Sequence, residues 1–231
     1  MRPSVQAEKP AFPQRLKAFF RAKFIAAFQA VCRFLIVIMY RPQIRYTGPD
    51  TRRAVMADPC VLICNHISPM DASVIHTALR RKRVICLVAR DLYERQGAHL
   101  LWRLLPMHPI ERHRASVTWI HDCKRFLAEG RSVLIFPEGH RTEDGAIQRF
   151  KPGFAMLAAS AKVNVVPICH NGQYNIVFGK RFRMVVGDPI RITPAPAGLR
   201  DTLLMDECEE AYRVVKQLEL ALQGNAQEVT A

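Results

Sequence analysis

From residue 60 onward, short apolar runs take turns with stretches whose apolar positions recur every three or four residues. That pattern predicts strands alternating with helices. Cys60-Val-Leu-Ile-Cys64, the run from Arg83 to Val88, Val133–Phe136 and Val163–Cys169 are short and almost continuously apolar, as strands buried on both faces are. His108–Ile110 reads as a brief extended piece, and Arg181–Val186 as a late strand before Gly187-Asp-Pro189. Helices are predicted from Ser68 to about Arg81, over 95–105, from Ala115 to Ala128 with Gly130 as the stop, from Pro152 to Ala161, and over 199–222 beyond a Pro-rich linker at 194–198. In Ser68-Pro69-Met70-Asp71, Ser is a good N-cap, Pro suits the first helical position and the acid completes a capping-box-like start. The sequence shows no internal repeat. Strand–helix alternation implies an α/β fold, a layered sheet with flanking helices, whose functional loops lie at the carboxyl ends of the strands.

The first part of the chain departs from this pattern and changes the picture. Residues 1–53 carry eleven Lys and Arg against only Glu8 and Asp50, a net +9 out of +14 for all 231 residues. Five phenylalanines lie between Phe12 and Phe28, followed by Phe34-Leu-Ile-Val-Ile-Met-Tyr40. Apolar bulk interleaved with long cationic stems suits an anionic bilayer surface, because Lys and Arg can snorkel to the headgroups. Nucleic-acid binders do not usually dilute their basic residues in Ala, Ile, Val and Leu, so nucleic acid is not the expected partner. Arg33 interrupts the longest apolar stretch, residues 24–40, short of the ~18 uncharged residues of a spanning helix, which favours an embedded or interfacial helix over a true span. The absence of a small-residue cleavage site after this stretch argues against a signal peptide. Residues 1–44 are therefore read as a basic, apolar segment of membrane-associating helices, and 45–231 as one α/β domain. An overall 49% apolar and 23% charged composition is that of a globular chain. The seven cysteines are odd in number, have no CxxC spacing and mostly sit in apolar runs, so they read as reduced core thiols in a cytosolic environment.

Two strand-to-loop junctions carry the candidate chemistry. In Asn65-His66-Ile-Ser-Pro-Met-Asp71, His66 follows a buried strand and Asp71 lies on the first turn of the next helix, so imidazole and carboxylate can meet. A carboxylate holding one ring nitrogen fixes the tautomer and leaves the other nitrogen to take a proton. Taken alone, the same letters fit a loop histidine and a capping acid. In Phe136-Pro137-Glu138-Gly139-His140-Arg141-Thr142, Gly139 lets the backbone turn and Arg141 offers a forked donor to phosphate. Alone, that segment fits a strand-end turn with solvated charges.

Taken together and in order, these segments resemble the glycerolipid acyltransferases, and in particular the bacterial 1-acyl-sn-glycerol-3-phosphate acyltransferases. That family carries NHxxxxD, a stretch ending Ile-x-Arg, FPEGTRS and a Val-Pro element. Here stand Asn65-His66-…-Asp71, Ile110-Glu111-Arg112, Phe136–Thr142 and Val166-Pro167-Ile168, with Phe150-Lys151-Pro-Gly153 resembling the family's FKxG segment. The likeness covers roughly residues 45–190. It implies the glycerol-3-phosphate acyltransferase-like fold, with His66 as the base that deprotonates the acceptor hydroxyl and Asp71 as its orienter. It places Asn65, Arg90, Arg112, Glu138, Gly139 and Arg141 at the acceptor's glycerol and phosphate, Arg90 standing where the family usually has lysine, and it gives Val166 and Pro167 to the pocket wall. It implies direct transfer with no covalent enzyme intermediate, no metal and no bound cofactor. Ser68 is then a helix cap, not a nucleophile. Two departures, His140 for the motif's threonine and Met107-His108-Pro109 for the glycine-bearing stretch, bear on the acceptor more than on the reaction.

The expectation is an O-acyltransferase of phospholipid biosynthesis on the cytoplasmic face of the cell membrane, monotopic or peripheral. Its donor is an acyl carrier protein or coenzyme A thioester, and its product is phosphatidic acid. Acyltransferases for glycerol-3-phosphate, lyso-ornithine lipid or another lysophospholipid remain open, as does a non-catalytic basic protein binding membrane or nucleic acid.

Overall fold

A long helix precedes the alternating part of the chain. The computed structural model describes residues 12–79, 82–94, 106–111, 118–172, 174, 181–192 and 200–227. Helix α1 spans Phe12–Tyr40, then come β1 (Gln43–Tyr46), α2 (Thr51–Ala57), β2 (Val61–Cys64), α3 (Asp71–Ala78), β3 (Val84–Ala89) and the short α4 (Arg90–Tyr93). They are followed by β4 (Met107–Ile110), α5 (Thr118–Ala128), β5 (Ser132–Ile135), α6 (Gly153–Ala161), β6 (Val165–His170), β7 (Arg183–Val186) and α7 (Arg200–Gln227). The predicted helix over 95–105, the linker at 194–198, Arg81 and the first residues of the 115–128 helix lie outside the described residues.

The strands form one sheet in the order β1-β7-β6-β2-β5-β3-β4. Strands β2 to β6 run parallel to one another, whereas β7 is antiparallel to β6 and carries β1 alongside it. The carboxyl ends of five strands therefore meet along one edge, with β2 between β6 and β5. Side chains of β2 alternate between two layers. Val61 and Ile63 join Phe126, Phe154, Leu157, Val215 and Leu218 of α5, α6 and α7, while Leu62 and Cys64 join Tyr40, Val55, Val74 and Ile75 of α1, α2 and α3. Every residue of β2 and β6 is buried, which is why their sequences are near-continuous apolar runs.

Three elements had no sequence signal, among them the single-turn α4 at Arg90–Tyr93. Strand β1 is a four-residue edge strand with alternating exposure, and α2 buries only Thr51 and Val55. Helix α3 begins at Asp71 and not at Pro69, because Ser68 Oγ turns onto the Met70 N–H (3.2 Å) and Asp71 N–H bonds the Ser68 carbonyl (3.1 Å). Val166 is buried in the layer under α3, and Pro167 packs toward Gly187 and Leu218, so neither lines an open pocket.

Among the described residues, α1 is one continuous helix, not several. Ile25, Phe28, Gln29, Cys32, Arg33, Ile36, Met39 and Tyr40 are its sheltered positions, spaced three and four apart as one helical face requires. Phe19, Phe20, Phe24, Val31, Phe34, Leu35, Val37 and Ile38 are exposed. Arg33 was expected to interrupt the apolar stretch. It lies instead on the inner face, in a small cavity with Ser73, His76 and Thr77 of α3, and leaves the outward face of residues 24–40 uncharged. The segment Leu16–Tyr40, 25 residues, is long and apolar enough to cross a membrane by length and composition. At 1.5 Å per residue it reaches about 37 Å, against a hydrocarbon core of ~30 Å.

The α1–α3 contact should make stability pH-dependent. Burial first, and then the Arg33 charge, lower the His76 pKa from 6.5 to about 4. Between those values the unfolded chain binds a proton that the folded chain refuses. Stability is then full above the unfolded value and falls as the pH drops toward the folded one. The loss has a ceiling of ~3 kcal/mol at 1.36 kcal/mol per pH unit. Urea midpoints measured from pH 7 to 4.5 should decline, and His76→Gln should flatten that decline.

Candidate active site

The site grows from three neighbouring strand ends. Just past β2, the buried side chain of Asn65 clasps the backbone of His170 at the end of β6: Asn65 Nδ2 donates to the His170 carbonyl, and His170 N–H donates to Asn65 Oδ1, both at 3.0 Å. On the other side the loop after β5 holds the backbone of His66. Its N–H donates to Glu138 Oε1 and its carbonyl accepts from Thr142 N–H, both at 2.9 Å. The His66 ring stacks on Phe136 at 4.0 Å between centroids and 15° between planes.

His66 Nδ1 lies 2.8 Å from Asp71 Oδ2. The same oxygen accepts the backbone N–H groups of Ile67 (2.7 Å) and Ser68 (2.9 Å). The chain between the two partners thus wraps the carboxylate, and the capping interaction and the dyad use one oxygen. The other oxygen, Oδ1, accepts the Tyr174 hydroxyl and lies 3.3 Å from His170 Nε2. Burial would raise the Asp71 pKa. The hydrogen bonds from His170, His66 and Tyr174 outweigh burial and hold the carboxyl well below its ordinary range. An ionised Asp71 makes Nδ1 of His66 the donor, so Nε2 is the nitrogen left with a lone pair. The His66 side chain is 20% exposed and Asp71 is fully buried, so only the ring is open to a ligand.

The remaining expected site residues divide. Arg141 is exposed one residue before Thr142, whose N–H is tied to His66, and so faces solvent beside the dyad. Gly139 turns at φ +78°, and a β-carbon there would fall 2.7 Å from Lys151 Nζ, which places that amine against the same loop. Lys151 N–H also bonds the Pro137 carbonyl (2.9 Å). Arg90 starts α4 after β3, two strands from β2, and its guanidinium is paired with Glu111 (2.5 Å) and Glu94 (3.4 Å). Arg112 lies outside the described residues. Two expected acceptor contacts have other tasks. Glu138 is 1% exposed, and its second oxygen accepts Gln148 N–H at 3.0 Å, so its carboxylate braces two loops. Asn65 is committed to His170 in the same way. Burial raises the Glu138 pKa, while the backbone donors oppose that rise.

A family model described as Acyltransferase matches residues 43–171, more than half of the chain, and takes in His66, Asp71, Glu138, Arg141 and His170 but not Tyr174. The chain belongs to the acyltransferase family.

Human 1-acyl-sn-glycerol-3-phosphate acyltransferase beta is 32% identical over 131 residues, 55% of this chain and 47% of that protein. The 1-acyl-sn-glycerol-3-phosphate acyltransferase of Pseudomonas aeruginosa is 30% identical over 162 residues, 67% of this chain and 61% of that one. The chain spans about half the length of the curated relatives it matches, from 33% to 64%. The crystal structure of the 1-acyl-sn-glycerophosphate (LPA) acyltransferase PlsC from Thermotoga maritima superposes with a TM-score of 0.57 at 18% identity, covering 86% of this chain and 83% of that one. That likeness is one of fold.

In this acyltransferase the sequence reading had left out His170 and Tyr174. His170 ends a strand that is otherwise apolar and buried throughout, beside the strand that ends before Asn65 and His66, and that position was the available signal. Cys64 adjoins the motif but is fully buried, and burial drives its thiol well above the ordinary value, consistent with a core residue. Among the described residues, no group of three or more His, Cys, Asp and Glu gathers as metal ligands would.

The brace makes a measurable demand. Glu138→Ala leaves the His66 and Gln148 N–H groups without their acceptor, and each such loss is worth ~1–3 kcal/mol. Urea denaturation should show the variant clearly less stable than the wild type. Unchanged stability would mean that Glu138 is not a brace.

Proposed function

We propose that this acyltransferase moves an acyl chain from an acyl carrier protein or coenzyme A thioester to the free hydroxyl of 1-acyl-sn-glycerol-3-phosphate, making phosphatidic acid. The observation that carries the reading is an imidazole held by a buried carboxylate at 2.8 Å, with its other nitrogen free, next to a loop that presents Arg141 and Lys151. The curated relatives named 1-acyl-sn-glycerol-3-phosphate acyltransferases support the choice of acceptor.

In this scheme His66 Nε2 takes the hydroxyl proton as the oxygen attacks the thioester carbonyl. The carbon–sulfur bond breaks, the acyl chain stays on the acceptor oxygen, and the proton passes from His66 to the leaving thiolate. Asp71 holds the ring and stabilises the imidazolium that forms in between. Arg141 holds the phosphate through its planar donor fork, and Lys151 adds a point charge at the Gly139 turn. Arg90 and Arg112 remain candidates for a second phosphate contact, Arg90 on condition that it releases Glu111. Asn65 and Glu138 act by positioning the backbone on either side of His66.

Residues 1–44 serve as the membrane-associating segment on the cytoplasmic face. The exposed apolar side of α1 supports this. So does the substrate, because drawing a lipid tail into water costs ~0.8 kcal/mol per methylene and a surface-bound enzyme avoids it.

Acyl transfer assayed with labelled donor thioester and lysophosphatidic acid should be ~10²–10⁴-fold slower in His66→Ala, the usual worth of a general base. A wild-type rate would remove His66 from the chemistry. Arg141→Ala should raise the Michaelis constant for the acceptor more than that for the donor. Running the wild type on glycerol-3-phosphate and lyso-ornithine lipid in the same assay tests the acceptor.

A further inference from the structure

The His170 side chain is fully buried, and its ring makes three polar contacts that fix where its proton sits. Gly172 N–H donates to Nδ1 at 3.1 Å, so Nδ1 is an acceptor and carries no proton. A neutral ring then carries its proton on Nε2, and that N–H is shared between the Asn65 carbonyl (3.1 Å) and Asp71 Oδ1 (3.3 Å). A doubly protonated ring would set a second N–H against Gly172. Gly172 is itself held at φ +61° with Ile67 beneath it, so the donor that sets the tautomer belongs to a confined turn. Phe182 stacks on the ring at 5.1 Å between centroids.

Tyr174 reaches the same oxygen from a second direction. Burial, and then the Asp71 charge, raise its pKa, so its hydroxyl stays a donor. Its ring meets Tyr40 at the last position of α1, edge to face at 5.5 Å. One carboxylate thus divides five donors between two oxygens: His66, Ile67 and Ser68 on Oδ2, His170 and Tyr174 on Oδ1.

A carboxylate relieved of the donors on one oxygen becomes a stronger acceptor on the other, because less of its charge is spoken for. We propose that His170, locked as the Nε2–H tautomer, is a positioning residue that acts with Tyr174 to restrain Asp71, so that the carboxylate orients His66 without drawing its Nδ1 proton so strongly that the free nitrogen fills. This rests on the reading of His66 as the base. The other charged or titratable groups around the pair are Glu138 on the His66 backbone, His140 and Arg141 on the exposed loop, the buried thiol of Cys64 and, beyond Tyr174, Tyr40. The substitutions below leave all of these in place.

The test is proton and nitrogen NMR on the full chain with ¹⁵N-labelled histidine, alongside the rate of acyl transfer against pH. In the wild type, His170 should show a bare Nδ1 and a protonated Nε2. His170→Met should move the His66 Nδ1–H resonance downfield and shift the acid limb of kcat/KM upward by about half a pH unit or more, a modest share of what a hydrogen bond to a charged group is worth. His170→Gln, whose amide N–H can take the place of Nε2–H, should restore both. Tyr174→Phe removes the other donor and should move the resonance in the same direction, which keeps the test alive if the His170 variants do not fold. A protonated Nδ1 on His170, or a His66 resonance that stays put in every folded variant, overturns the proposal. The resonances are read without substrate. Their movement in a chain that transfers no acyl group would therefore contradict the assigned reaction and leave the restraint on Asp71 standing.

Discussion

The site depends on one buried negative charge. Asp71 has no exposed surface, and an ionised carboxylate in such a place survives only if donors replace the water it has lost. Five groups do so, and they come from the residues just before it, from the end of β6 and from beyond it. Each also has a place in the fold. Ile67 and Ser68 form the turn into α3, His170 closes the clasp with Asn65, and Tyr174 rests on the foot of α1. The carboxylate that orients the imidazole is thus also what draws three elements together, and loss of its charge would cost structure as well as chemistry.

The sheet makes that convergence possible. With β2 central and parallel to both β5 and β6, the residues that follow the three strands leave the same edge side by side. Glu138 and Thr142 then reach the backbone of His66 from one side, and His170 reaches Asn65 and Asp71 from the other. The His66 ring stays partly open, and Arg141 and Lys151 are exposed beside it. The apolar helix α1 is anchored through Tyr40 to Tyr174, so the segment proposed to meet the bilayer stands one aromatic contact from the carboxylate. Its single inward cation, Arg33, leaves a charge-free face pointing outward in its second half.

Much of this was legible in the residues. The buried strands announce themselves because a strand covered on both faces must be apolar at every position, as Val61–Cys64 and Val133–Ile135 are. His66, Asp71, Gly139 and Arg141 could be picked out because reactive groups placed just after such strands stand out against the apolar run. What stayed hidden had no periodic signature. Strand β1 is an edge strand whose place depends on β7, 140 residues later in register, and α2 is too short to show a face. Glu138 was expected at the acceptor because the family resemblance places it there. Its backbone donors lie 72 and 10 residues away, and only the fold reveals that both oxygens are engaged. His170 was hidden for a similar reason, since the acceptors of its Nε2–H, the Asn65 carbonyl and Asp71, lie far away in sequence.

The most direct measurement of the account is a crystal structure of the full chain with lysophosphatidic acid bound. The acceptor's free hydroxyl should lie within about 2.6–3.2 Å of His66 Nε2, the reach of a general base, with its phosphate at Arg141 and Lys151 and Asp71 still on Nδ1. A phosphate bound elsewhere on the molecule, with the hydroxyl far from His66, would contradict it.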